Sequence, residues 1–208
     1  MTQRPSPRAL AHPATGVGGE APLAFDWITE LGDADLAEMK RILDVVATTS
    51  GTNGFAEPLD DVQLAALASK VRHGLSAGTL HQLMVRAGGE VVGIVTLESC
   101  SQPTRQHIVE IRRAAVPPHE RGRFLRRGWV EVLHKCRAMG WEIAQIDVSE
   151  DGPIVLWERM GFRIFGKVAD YARVGTRRLD GVYMTLDTTA ALRAIDARQG
   201  VHGHAPPP

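Results

Sequence analysis

Between Phe25 and Asp187 the hydrophobic positions switch repeatedly between the alternation of strands and the three-to-four spacing of helices. Phe25 to Leu31 alternates and predicts a short strand. Asp33 or Asp35 caps a helix whose apolar stripe is Leu36, Met39, Ile42, Leu43 and Val46. Asp60-Asp61 opens a second helix with Leu64, Leu67, Ala68, Val71 and Leu75 on one face, and Gly78 breaks it. His81 to Arg86 and Val91 to Leu97 flank Ala87-Gly88-Gly89-Glu90, a hairpin signal in which glycines supply positive φ. His107 to Val116 is a long third strand, ended by Pro117-Pro118, since neither proline can donate to a ladder.

Downstream, about Arg123 to Met139 predicts a helix with Leu125, Trp129, Val132, Leu133 and Cys136 inward and Gly140 as its stop. Trp141 to Val148 reads as a buried strand; Trp27 and Trp141 are both expected in the core. Asp151 is expected to cap a short helix carrying Pro153 in its first turn, where a missing N–H does no harm, and Gly161 to end it. Phe162 to Val174 and Val182 to Leu186 supply two last strands, and Thr188 or Thr189 starts a terminal helix through Leu192 and Ile195. The elements alternate as in an α/β domain. Residues 1–21, rich in Pro, Gly, Ala and Ser, predict a disordered leader. Residues 22–190 predict a single domain, and 191–208 a short helix and a disordered tail.

Charge and cysteine content narrow the function classes. Acidic and basic side chains balance at 24 each, so no broad electrostatic field marks a nucleic-acid or membrane surface. No apolar run approaches the ~20 residues of a spanning helix, and the N-terminus lacks the apolar stretch of a signal peptide. A cytoplasmic protein is expected. Cys100 and Cys136 are too few for a disulfide framework or a four-ligand zinc site; core filler is the expectation, and no metal.

Five motifs then follow one another in order. Gly89-Glu90-Val91-Val92-Gly93 precedes Val109-Glu110-Ile111 with Ala114-Ala115-Val116-Pro117, and Arg121-Gly122-Arg123 comes next. Leu156-Trp157-Glu158-Arg159-Met160-Gly161-Phe162 and Asp180-Gly181-Val182-Tyr183-Met184 complete the set. Together they resemble the GCN5-related N-acetyltransferase (GNAT) superfamily over most of the chain. Gln102-Pro103 and the Val-Glu run of the third long strand are also similar to the tabtoxin-resistance subgroup.

The resemblance implies a mixed, mostly antiparallel central sheet of about seven strands, splayed at strands 4/5 and flanked by about four helices. Acetyl-CoA, or another acyl-CoA, would lie in the splay as co-substrate. Ala114, Ala115 and Val116 would bind the pantetheine arm. Arg121, Gly122, Arg123, Phe124, Leu125, Arg126 and Arg127 form the phosphate loop, with amides from Gly122 through Arg127 on the pyrophosphate. Unbonded N–H groups and the helix dipole favour anions there. Glu110 matches the family's general base. The usual acid is a tyrosine in the short helix, where this chain has Trp157. Tyr171 could reach the slot instead, while Tyr183 is expected to pack in the sheet. Phe55 and Glu57, in the 48–58 connection, and His119 are expected substrate contacts.

One departure affects the coenzyme loop. The family reads Gln/Arg-x-x-Gly-x-Gly/Ala, and here Phe124 and Arg126 occupy both glycine positions. Glycine lets the backbone approach phosphates with no Cβ in the way. Phe124 is expected to obstruct that approach, and Arg126, with Arg123 and Arg127, to add charge-assisted bonds. Two functions follow. One is acetyl transfer to a primary amine of a small molecule by direct attack in a ternary complex, with a homodimer as a further family expectation. The other is a GNAT-fold binding or regulatory module that has lost catalysis.

Overall fold

A computed structural model describes residues 21–49 and 54–201. The expected leader up to residue 20, the tail from residue 202 and residues 50–53 of the helix connection lie outside the described residues.

Seven strands run β1 (Leu23–Ile28), β2 (Leu80–Ala87), β3 (Glu90–Ser99), β4 (Ile108–Ala115), β5 (Ile143–Ser149), β6 (Arg163–Val174) and β7 (Arg177–Asp187). The helices are α1 (Asp33–Thr49), α2 (Asp61–Ala77), α3 (Leu125–Met139), α4 (Ile154–Arg159) and α5 (Thr188–Val201). One sheet orders the strands β1-β2-β3-β4-β5-β7-β6. Every neighbouring pair is antiparallel except β4 with β5. This is the mixed, mostly antiparallel sheet expected from the sequence, with five helices rather than about four.

Each face of the sheet buries its own core. Met39, Ile42, Leu43 and Val46 of α1 and Leu67 and Val71 of α2 pack with Leu80, Met84 and Ile94 on one side. On the other, Trp129, Val132, Leu133 and Cys136 of α3 join Trp157 of α4, Phe162 and Leu192 of α5. Local chemistry sets several boundaries. Gln63 N donates to Asp60 Oδ1 at 2.7 Å and Asp60 N to Gln63 Oε1 at 3.2 Å, a reciprocal cap that starts α2. Gly78, at φ 68°, ends it in the left-handed region that glycine adopts without strain.

Four expectations need correction. β1 ends at Ile28, and Leu31, in the connection before α1, is buried in the core shared by α1, α2 and the sheet instead of extending the strand. Asp151 does not cap α4: Pro153 stands at that position with no side-chain bond, and Asp151 accepts from Ser149 Oγ at 2.6 Å. Trp141 is core, but Trp27 is only half-buried, with Lys135 Nζ 5.3 Å from its ring centroid. Tyr183 is 39% exposed on β7 rather than packed away.

The centre of the sheet holds its main irregularity. Thr96 of β3 faces Arg113 while Leu97 faces Ile111, so Arg112 is an extra residue in β4. Such a bulge bends its strand and increases the local twist. Parallel pairing between β4 and β5 runs only from Ile108↔Ile143 to Glu110↔Gln145 and stops just before the bulge. Beyond that point β4 stays with β3 as far as Ala115↔Ile94, and β5 stays with β7 as far as Ser149↔Gly181. The two strands therefore part, leaving a wedge-shaped slot at the middle of the sheet.

Candidate active site

One wall of the slot is the β4 edge from Ile111 to Ala115, which has no strand partner on the β5 side. Ala114 is half-buried and Ala115 buried, so small side chains keep that edge accessible from within the slot. An unpaired strand edge is a row of backbone donors and acceptors ready for an extended, amide-bearing ligand. Ala114 and Ala115 lie on this edge, and Val116 follows just past the end of β4.

The chain then turns through Pro118–Glu120 into the loop before α3. Gly122 has φ +86°, which a side chain would strain, although nothing crowds the position. Gly128 is the first α3 amide to bond an upstream carbonyl, donating to Phe124 O at 2.8 Å. The preceding Leu125, Arg126 and Arg127 amides are the unpaired donors of a helix start. No side chain caps this end. It combines free N–H groups with the positive end of the helix dipole, a fit for phosphate oxygens.

Phe124 does not stand in the path of such an anion. Its ring turns inward and is 5% exposed, joining the α3 core. It rests on Gly93, where an added Cβ would come within 2.6 Å of the ring's Cζ. Gly93, part of the hairpin motif, is therefore the seat for the residue that replaces the loop glycine. The loop arginines also divide. Arg123 pairs with Glu120 at 3.0 Å, and Arg127 lies 5.5 Å from the Phe25 centroid. Arg121 and Arg126 are exposed, with no ion pair among the described residues.

Across the bulge, on the α1/α2 face, charged groups converge. Arg112 pairs with Glu110, reaches Glu98 Oε2 at 3.1 Å and approaches Asp147 Oδ1 at 3.9 Å. Glu98 also takes Lys70 of α2 at 3.1 Å. Burial alone would raise the Glu98 pKa, but the Lys70 and Arg112 bonds outweigh it and hold the carboxyl below its ordinary value. Arg113 turns to the same face, with its guanidinium 5.6 Å from the centroid of Phe55 in the connection before α2. Burial, opposed by the nearby Glu98, lowers its pKa from the ordinary arginine value.

The predicted acid joins this group from the far side of the sheet. β6 breaks register between Val168 and Ala172, and Asp170 adopts φ 53° within the break. Tyr171 thereby crosses β7 at Gly181, where an added Cβ would overlap its ring, and its hydroxyl donates to Asp147 Oδ2 on β5. Burial first, then the Asp147 carboxylate, pushes the phenol pKa up, so Tyr171 holds its proton. Glu110 and Tyr171 are thus linked through Arg112 and Asp147. Trp157, at the family's tyrosine position, is buried edge-on against Trp129 and Phe162. Glu57 is exposed beside Phe55 in the chain. His119 is exposed in the turn, 4.0 Å from Glu120, apart from the charged cluster.

Arg112, Arg113 and Asp147 escaped the sequence reading, and Gly181 was read only as part of the last motif. No signal in the sequence marks the two arginines, because adjacent strand residues ordinarily point to opposite faces and only the bulge sets both on one. Among the described residues no group of three or more His, Cys, Asp or Glu is placed to hold a metal ion, and no helix is long and apolar enough to cross a membrane.

No family model matches the sequence, and no curated protein matches it. Solved structures do match the fold. An N-acetyltransferase from Staphylococcus aureus Mu50 is similar at TM-score 0.66 and 16% identity, over 81% of this chain and 99% of that one. The ribosomal-protein-alanine N-acetyltransferase of Brucella melitensis gives TM-score 0.65 and 17% identity, over 79% and 99%. A Salmonella typhimurium protein assigned as an acetyltransferase, solved with its cofactor acetyl-CoA, gives 0.64 and 17%, over 80% and 94%. With its strand order, its parallel β4–β5 pair and the splay between them, this chain has the fold of the GNAT acetyltransferases.

Proposed function

We propose that the protein is a cytoplasmic, acyl-CoA-dependent N-acetyltransferase that moves acetyl from acetyl-CoA to a primary amine of a small molecule. The observation that carries this reading is the separation of β4 from β5 at the Arg112 bulge, with the unpaired β4 edge leading to an uncapped helix start. A thioester with a long amide-bearing arm and a pyrophosphate matches that sequence of features. The arm pairs with the edge at Ala114 to Val116. The phosphates take the amides of Gly122 through Arg127, and Arg121 and Arg126 add positive charge from outside.

An amine attacks a thioester only when neutral, so its proton must leave before or during attack. Glu110 is positioned on the acceptor side as the base, directly or through water, and Arg112 fixes its carboxylate. Attack forms the C–N bond, and collapse breaks the C–S bond and releases CoA thiolate. Tyr171, which keeps its proton until then, gives it to that sulfur once its hydroxyl turns from Asp147, and the phenolate takes a proton back from solvent as CoA leaves. No nucleophile–base pair suggests a covalent acyl-enzyme, so transfer is direct within a ternary complex.

Isothermal titration with acetyl-CoA, followed by thiol-release assays over a panel of amines, tests the proposal. Binding at one site per chain, turnover, and a ~100-fold lower kcat/KM for Glu110→Gln are expected. Absence of acetyl-CoA binding rejects it. The burial of Trp157 in place of a helix tyrosine favours a second reading, a binding module without catalysis. Acetyl-CoA binding with no turnover of any amine would select that one.

A further inference from the structure

On the acceptor side of the slot, two adjacent arginines meet opposite fates. Arg112 is surrounded by Glu110, Glu98 and Asp147. Arg113 has no carboxylate partner among the described residues, and its Nε is buried with no hydrogen bond. Its guanidinium lies 5.6 Å from the centroid of the Phe55 ring. A half-buried guanidinium without an anion is costly, because desolvation is not repaid by pairing. Moreover, Glu98, the nearest counter-charge, is already held by Lys70 and Arg112.

We infer that Arg113 binds a carboxylate on the acceptor, so that the substrate class is an amine that also carries a carboxylate. This deepens, and rests on, the transfer reading above. The bulge separates the two charges such a molecule needs. The amine end faces Glu110 and Asp147, which form the acidic part of the cluster, and the carboxylate end meets Arg113. A planar guanidinium presents paired donors that match a carboxylate, and Phe55 holds the plane from one side while excluding water. Phe55 belongs to the α1–α2 connection, so the segment that varies most easily also covers the recognition residue. Thr96, opposite Arg113 in β3, is uncharged and brings no anion to it; its hydroxyl proton goes to Gln82 Oε1 at 2.7 Å.

The test is equilibrium binding on the full chain in the presence of CoA. Standard amino acids and their decarboxylated amines are titrated into wild type, Arg113→Met and Arg113→Lys. At least one amino acid should bind, and its decarboxylated amine should bind roughly tenfold or more weakly. Arg113→Met should reduce the amino acid to the level of the amine and leave the amine unchanged. Arg113→Lys, which keeps the charge but not the fork, should fall between and decides the matter if the methionine variant does not fold. Equal binding of amino acids and amines, no binding of amino acids, or equal loss of both ligands in a variant with native melting overturns the inference. An amino acid that binds through Arg113 but is never acetylated in a thiol-release assay keeps Arg113 as a carboxylate site and removes the transfer reading, and with it the ligand's role as acceptor. Acetylation of amines without preference for a carboxylate does the reverse.

Discussion

The α3 side of the slot offers a ligand mainly backbone: an open strand edge, a left-handed Gly122 and the unpaired amides of a helix start. The α1/α2 side offers side chains, with Glu98, Glu110, Arg112, Asp147 and Tyr171 in one chain of contacts and Arg113 beside it. Backbone donors survive a change of side chain provided the chain path is kept. A side-chain cluster survives only if every strand keeps its register. The chain path of the backbone wall is therefore kept with Phe124 and Arg126 where the family's glycines are expected, while the side-chain wall depends on the bulge at Arg112 and the break at Asp170.

The largest effect should come from removing the side chain that anchors the backbone wall. Phe124→Ala deletes a ring that is 5% exposed and seated on Gly93, so a loss of ~3–5 kcal/mol is expected in denaturant unfolding. Acetyl-CoA binding should weaken together with stability, because the ring fixes where α3 begins. If Phe124 were instead an obstacle to phosphates, the same substitution would leave stability almost unchanged and tighten acetyl-CoA binding. The two outcomes move affinity in opposite directions.

Next in size is a substitution that disturbs the side-chain wall without touching its charges. Gly181→Ala puts a methyl where the Tyr171 ring crosses β7, and the phenol must leave Asp147. We expect kcat/KM to fall roughly tenfold, about 1.4 kcal/mol, with acetyl-CoA affinity unchanged. Tyr171→Phe should do the same, and the double variant should lose little more than either single one. Additive losses would show that Gly181 matters for a reason other than the seat of Tyr171.

These two sites also mark how far the sequence can be read. Strand and helix identities were legible because their periods are long and regular, and Asp60-Asp61 and Gly78 mark the two ends of α2 by chemistry confined to a few residues. The backbone wall was legible as position, through the order of the motifs. The inward turn of Phe124 was not, since it depends on Gly93, which lies in another strand. Glu110 and Tyr171 could be named singly, but Asp147, which receives the Tyr171 hydroxyl, depends on three strands stacking in register across Gly181. Arg112 and Arg113 look like ordinary strand polars until a single extra residue sets both on one face. Local spacing encodes elements, whereas a bulge encodes a site.

The smallest effect concerns a histidine outside both walls and sharpens the contrast between stability and activity. His81 of β2 lies edge-on to Trp141, ring centroids 5.1 Å apart, in the α3-side core. Burial, and then the charge of Lys135, lower its pKa from the ordinary 6.5, against a smaller opposing effect from a hydrogen bond with the Gly78 backbone. In acid the unfolded chain therefore takes up a proton that the folded chain resists. Stability is full above the unfolded pKa and is lost as pH falls through it. The ring is only half-buried, so the loss between pH ~7 and ~5 should be small. His81→Phe should flatten the melting temperature over that range and leave the acid limb of kcat/KM in place, because on the transfer reading that limb belongs to the acceptor amine. Loss of the acid limb in His81→Phe would place the titrating group in the core rather than at the slot, and the division between the two walls would fail.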